Sequence, residues 1–309
     1  MSCKIKDINF SAEGIEQLGT KEKFWFYPKN DADTKSLFKY SRKDTGEHWS
    51  EKAAECLCQE LDIPHVKYEI ARCLDRLGIV TVNVIPNNCR MVMGNEVLHK
   101  TSPVTYPQPE NDNGDLVRVK EHTITRVLEC LDSKILPPNI NAHNSNDLNA
   151  GDVFCGYLML DALISNQDRH HENWAVIVNN DTGEQHLCPT YDHAASLGRE
   201  LLDSERNERM TTKDKNRTVE AFVSKARSEL FRLEKDKQPL LTVDAFYIAI
   251  EKRITAKSHW LSKLRSLSEN RITKIFSNIP QEVTTQVAIQ FAIQMVLENK
   301  KRLLDDERA

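Results

Sequence analysis

The sequence predicts an α+β fold in two lobes, a small sheet-rich lobe over residues 1–100 and a larger, mostly helical lobe over 101–309. Three observations carry that expectation. Short aromatic and β-branched runs crowd the first hundred residues, a stretch rich in Pro, Asn and Asp follows from Thr101 to Asp115, and apolar residues at helical spacing dominate thereafter. A chain of 309 residues is long enough to bury two cores.

Lys23–Tyr27 and Ser36–Tyr40 are bounded by Gly, Pro, Asn and Asp, as strands are. Between Gly46 and Leu61 the period changes: Trp49, Ala53, Cys56, Leu57 and Leu61 recur at three- and four-residue steps and predict a helix. Strand patterns return at Tyr68–Arg72, Ile79–Val84 and Arg90–Met93, giving an antiparallel sheet with one helix. Beyond Asp115, helices are expected at about 119–132 and 150–165, then a hairpin, then helix to the end, clearest over Gln286–Leu304.

Composition removes several function classes. A net charge of −4 gives no bulk attraction to nucleic acid or an anionic membrane, so direct nucleic-acid binding is not expected. No apolar run approaches the roughly 20 residues of a membrane span, and no apolar stretch follows the N-terminal residues as in a signal peptide. The eight cysteines are scattered, fitting neither a zinc pair nor a disulfide scaffold, and read as reduced packing thiols of a cytoplasmic protein.

The informative stretch runs from Leu158 to Trp174. An apolar helix enters the polar cluster Asn166-Gln167-Asp168-Arg169-His170-His171-Glu172-Asn173, and Trp174–Val178 reads as a strand. Asn179–Gly183 is a turn, and the return strand from Gln185 ends in Pro189-Thr190-Tyr191-Asp192-His193. One hairpin thus brings Asp168, Asn173 and Asp192 to the same end. Phosphoryl transfer needs such a set, a carboxylate to take the hydroxyl proton and oxygen ligands for magnesium on the phosphates. The Asp-x4-Asn spacing equals that of a kinase catalytic loop, with Asp192 in the place of the later metal-binding Asp.

Partners for ATP are expected upstream. Strand alternation puts Leu37 and Lys39 on one face, one to cover adenine and the other to reach the phosphates. Glu51 and Glu55 on the following helix can hold Lys39, Glu51 being preferred; Lys35 is the rival lysine. Leu18–Lys23, with a single glycine, is the expected phosphate-covering turn, placing Gly19 and Thr20 on the nucleotide. The histidines around the loop lack zinc-site spacing and are expected to orient neighbours by hydrogen bonds. Lys213–Arg217 and Lys225–Arg227 read as solvated faces, with a docking surface for an acidic or tRNA-associated protein as the sharper alternative.

Asn166–His170 with Glu172-Asn173-Trp174, followed by Pro189–His193, resembles the HipA-like kinase family, whose pattern runs Asn-x-Asp-Arg-His-x-x-Asn and then Pro-x-Tyr/Phe-Asp. Gly46–Lys52, Met93–Glu96 and Ser196–Leu201 add to the likeness, which spans about residues 18–230. The resemblance implies a two-lobed protein-kinase-like fold and Ser/Thr phosphorylation of proteins with ATP and Mg²⁺. By matching positions it makes Asp168 the base, Asn173 and Asp192 the metal ligands, Lys39 the ATP lysine and Glu51 its partner. It also makes Met93 to Leu98, including Glu96, a hinge contacting adenine through its backbone. Family toxins act on aminoacyl-tRNA synthetases and are neutralised by a small DNA-binding antitoxin, so such partners are implied here. The likeness has no counterpart of HipA's N-terminal subdomain and no clear serine in the phosphate loop, which bears on partner binding and autophosphorylation. Lipid or small-molecule kinase and nucleotide-binding pseudokinase are the other readings.

Overall fold

Alternating apolar residues in the first third of the chain pair into a five-stranded sheet of order β1-β4-β5-β3-β2. Its strands are β1 (Lys6–Asp7), β2 (Lys23–Phe26), β3 (Ser36–Tyr40), β4 (Glu69–Cys73) and β5 (Arg76–Val82). The computed structural model describes residues 3–8, 22–28, 34–108, 119–139 and 147–305. Phe24, Phe38, Ala71, Cys73 and Val80 form a small apolar cluster on the sheet. Pleating sends Leu37 and Lys39 of β3 to the face opposite Phe38, beside their register partners Thr81 and Ile79.

Helix α1 (Glu47–Leu61) packs against the sheet because Trp49, Ala53, Ala54, Leu57, Cys58 and Leu61 fall on one side of it and are fully or nearly fully buried. It stops where Asp62 turns left-handed at φ 53°, its N–H closing on Cys58 O and Gln59 O. The main core joins α1 to α4 (Ala150–Ile164), a helix apolar on every side and buried along its whole length. Asn149 and Asp152 start α4 with a reciprocal capping box. The remaining helices are α2 (Gly94–Thr101), α3 (Ile124–Lys134), α5 (Asp203–Thr211), α6 (Val219–Val223), α7 (Thr242–Ile250), α8 (Ile254–Ser266), α9 (Glu269–Ser277) and α10 (Gln286–Leu303).

A second sheet of order β6-β7-β8 comprises β6 (Cys89–Met93), β7 (Ala175–Asn179) and β8 (Gln185–Leu187). The expected hairpin is therefore present, but β6 pairs with it and not with the N-terminal sheet. The chain passes from one sheet to the other at residues 83–88. Helix α3 begins at Ile124 and not near 119, because Thr123 caps it by accepting the Arg126 N–H at 3.3 Å.

Candidate functional site

The loop that follows α4 is built around one buried ion pair. Ser165 takes a left-handed conformation at φ 54° and turns the chain out of the helix. Asn166 then donates to Asp161 twice, through its backbone N–H to the carbonyl and through Nδ2 to Oδ1, each at 2.8 Å. Arg169, with no exposed surface, forks the same carboxylate through Nε and Nη2, both at 2.8 Å. Its Nη1 reaches Asn173 O at 2.6 Å and Tyr191 O at 3.5 Å. One guanidinium thus ties α4, the polar loop and the segment before Asp192 together, the bidentate geometry for which Arg is suited. Sequence reasoning did not single out Asp161. Its signal was a lone carboxylate in the apolar run Leu158–Ile164.

On this frame Asp168 presents a half-exposed carboxylate, 49% accessible. Asn173 is buried and donates Nδ2 to the Asp168 carbonyl at 2.5 Å, which leaves its Oδ1 as the outward acceptor. His170 accepts the Glu172 N–H on Nδ1 at 3.2 Å and sets Nε2 3.8 Å from Asp168 Oδ1. Burial pulls the His170 pKa down, against the pull of Glu172 and Asp192.

Asp192 closes the constellation from the far end of the hairpin. Its backbone is left-handed, φ 58°, a conformation that Asp tolerates better than most residues. Its N–H donates to Tyr68 Oη at 3.2 Å, and its Oδ2 lies 3.6 Å from Lys39 Nζ. Burial would lower the Lys39 pKa; the carboxylate of Asp192, with Glu51 behind it, outweighs burial and raises it. The expected Lys39–Glu51 contact is replaced here. Glu51 Oε1 accepts the His193 N–H at 2.8 Å and lies 3.5 Å from His193 Nδ1, so its carboxylate is engaged beside Asp192. The rivals separate clearly: Lys35 lies over the Trp25 ring at 5.0 Å, and Glu55 pairs with Lys52 at 2.5 Å.

A cavity of about 580 Å³ opens between the two sheets, and none of Lys39, Asp168, Asn173 and Asp192 lines it. Thr81, Val82, Val84 and Pro86 line one wall, and Cys89, Ile177 and Asn179 the other. Thr81 is paired with Leu37, two residues along β3 from Lys39, so the cavity continues the face that carries the lysine. Met93, Glu96 and Leu98 do not line it. Met93 ends β6, Glu96 is exposed on α2, and Leu98 is fully buried. The N–H groups of Gly94 and Asn95 are committed to Trp174 O (2.9 Å) and His171 O (3.0 Å). That fit is close enough that a Cβ on Gly94 would lie 2.2 Å from the Trp174 ring. Gly19 and Thr20 lie outside the described residues.

A third layer holds the loop from below. Trp174 donates Nε1 to His122 Nε2 at 3.2 Å, and His122 Nδ1 bonds Glu229 O at 3.1 Å, which fixes the neutral tautomer. Burial, with His171 next, pulls the His122 pKa down to about 3. Tyr106 Oη and His171 Nδ1 are 2.7 Å apart. Among the described residues no group of three or more His, Cys, Asp or Glu could hold a metal ion, and no helix is long and apolar enough to cross a membrane.

No family model matches the chain, and no curated protein matches it. Solved structures do. A Helicobacter pylori proinflammatory kinase, CtkA, superposes with a TM-score of 0.68 at 15% identity, covering 98% of this chain and 96% of its own. HipA of Shewanella oneidensis MR-1, solved with HipB and operator DNA, gives 0.59 at 12% identity, covering 96% of this chain and 66% of its own. The fold is kinase-like and shared with HipA. At these identities the likeness is one of fold. This chain spans about two thirds of the length of that HipA.

Proposed function

We propose that this chain is a protein Ser/Thr kinase that uses ATP and Mg²⁺. The observation that carries the reading is the meeting of Lys39 with Asp192, Nζ 3.6 Å from Oδ2, at the end of the hairpin that also bears Asp168 and Asn173. Adenine would enter the apolar cavity between segment 83–88 and Ile177, with Leu37 covering it, and the phosphates would extend toward Lys39. The residues present suit magnesium: the Asn173 amide nitrogen is spent on the Asp168 carbonyl and its oxygen is left as a donor, while Asp192 supplies a carboxylate. Two protein oxygens completed by phosphate and water are the usual coordination of that ion. Bound there, it would neutralise charge on the phosphates. Asp168, half-exposed and ahead of Asn173, takes the proton of the acceptor hydroxyl as the new O–P bond forms and the γ-phosphate's bond to the departing ADP breaks, and Lys39 balances charge on the phosphates.

HipA's presence in a complex with HipB and operator DNA supports a small DNA-binding antitoxin as partner of this chain, and the resemblance to HipA-like kinases motivates a toxin role against a translation protein such as an aminoacyl-tRNA synthetase. Incubation of the protein with radiolabelled ATP, Mg²⁺ and a bacterial lysate tests the reading. Label on serine or threonine of a lysate protein is expected. Label in lipid or a small molecule would move the acceptor class, and tight nucleotide binding without any transfer would make the chain a pseudokinase.

A further inference from the structure

Residues 66–70 alternate between buried and exposed, so Val66, Tyr68 and Ile70 face inward while Lys67 and Glu69 face solvent. The segment lies along the stretch that ends in Asp192. The Thr190 N–H donates to Pro64 O at 2.9 Å and the Val66 N–H to Thr190 O at 3.0 Å, with His65 and Thr190 paired in parallel. Two residues further along each chain, Tyr68 meets Asp192. Its ring is 2% exposed and belongs to the main core, and Lys52 of α1 fixes its backbone by donating Nζ to Tyr68 O at 2.7 Å.

Asp192 needs such a hold. A left-handed φ of 58° is strained for a residue with a Cβ and persists only where the surroundings impose it. Two consecutive amides are caught here, the Asp192 N–H by Tyr68 Oη at 3.2 Å and the His193 N–H by Glu51 Oε1 at 2.8 Å. Both acceptors come from outside the hairpin, one from the residue before β4 and one from α1. They fix the turn relative to the sheet that carries Lys39, where Asp192 Oδ2 lies 3.6 Å from Lys39 Nζ. Because the direction of a side chain follows its backbone, releasing the turn would swing this carboxylate away from the lysine.

We propose that Tyr68 is a positioning residue: by accepting the Asp192 N–H it holds the left-handed turn that aims the Asp192 carboxylate at magnesium and the phosphates. The inference rests on the kinase reading and deepens it, naming a residue outside the loop and the hairpin on which metal binding depends. Tyr68 acts through Asp192, as the outer hydrogen-bond partners of metal-ligating residues do, and loss of such a partner typically costs about 10–100-fold in metal affinity or activity.

The test compares the parent chain with Tyr68→Phe and with Tyr247→Phe. The second variant also deletes a tyrosine hydroxyl bonded to backbone, here donating to Leu303 O at 2.7 Å, but on α7. A merely structural role would move both variants alike. ATP binding is measured by calorimetry at stepped Mg²⁺ concentrations. The Mg²⁺ needed for half the full gain in affinity should rise about tenfold in Tyr68→Phe and stay parental in Tyr247→Phe, while ATP binding in EDTA stays the same in all three. In the nucleotide-free chain, the Asp192 amide should exchange its hydrogen faster in Tyr68→Phe and at the parental rate in Tyr247→Phe. An unshifted Mg²⁺ requirement in Tyr68→Phe, an equal shift in Tyr247→Phe, or unchanged Asp192 exchange in Tyr68→Phe would each overturn this inference and leave the kinase reading standing. A parent chain whose ATP binding ignores Mg²⁺ would overturn the kinase reading and this inference with it.

Discussion

The two sides of the cleft are held by different means. On the helical side, Arg169 and Asp161 are 0% and 2% exposed and knit α4, the polar loop and the Asp192 segment through hydrogen bonds that leave the guanidinium no other role. On the sheet side, Lys39 is 19% exposed and reaches Asp192 across 3.6 Å, on strands whose own apolar cluster is small. The polar loop is thus preformed by burial, whereas the lysine's position depends on a neighbour that phosphate and metal would also engage. On the proposed reading, rigidity falls where proton transfer needs fixed geometry, and adjustability where a charged ligand must enter and leave.

That contrast can be broken first at Arg169. Arg169→Met strands the Asp161 carboxylate in the core, and urea unfolding should show a loss of about 3–5 kcal/mol. The double variant with Asp161→Leu should recover much of it. A loss under about 1 kcal/mol for the single variant would mean that the helical side is not held as described.

His122 sharpens the same side. Its native pKa of about 3 lies below the ordinary 6.5, so between those values the unfolded chain binds a proton that the native chain refuses. Stability is full above about pH 6.5 and falls as pH drops toward 3. The groups facing His122 are His171, His170 and Arg169, whose positive charge acts in the same direction. Unfolding at pH 7 and pH 4 should differ by about 2–4 kcal/mol from this residue, and His122→Gln should remove that share of the slope. An unchanged slope would place the acid sensitivity elsewhere.

The smallest stability effect belongs to the sheet side. Lys39→Ala should cost under about 1 kcal/mol, because the pair it breaks is partly solvated, yet it should abolish detectable transfer and weaken nucleotide binding. Lys35→Ala, which removes only a lysine lying over Trp25, should leave both intact. The reverse pattern would hand the role to Lys35.

Much of this was legible locally. The hairpin that brings Asp168, Asn173 and Asp192 to one end follows from a turn of Asn, Asp and Gly between two apolar runs, and Lys39 follows from strand alternation. What was not legible depends on distant pairing. Nothing in Cys89–Met93 itself says that it joins β7 and not the N-terminal sheet. The Lys39–Glu51 contact looked natural from helix spacing, but the His193 N–H that occupies Glu51 comes from elsewhere in the chain. Asp161 was hidden because a carboxylate in an apolar helix reveals its partner only once Arg169 has folded beneath it.

The central claim is that Asp168 is the base of a preformed site. The most direct measurement compares phosphoryl transfer by the parent chain and Asp168→Asn, alongside calorimetric nucleotide binding in Mg²⁺. The account predicts that transfer falls by about 10²–10⁴-fold while nucleotide affinity stays within about threefold and Tm moves little, since the carboxylate is half exposed and the loop is held by Arg169. Transfer by Asp168→Asn at the parental rate would contradict it.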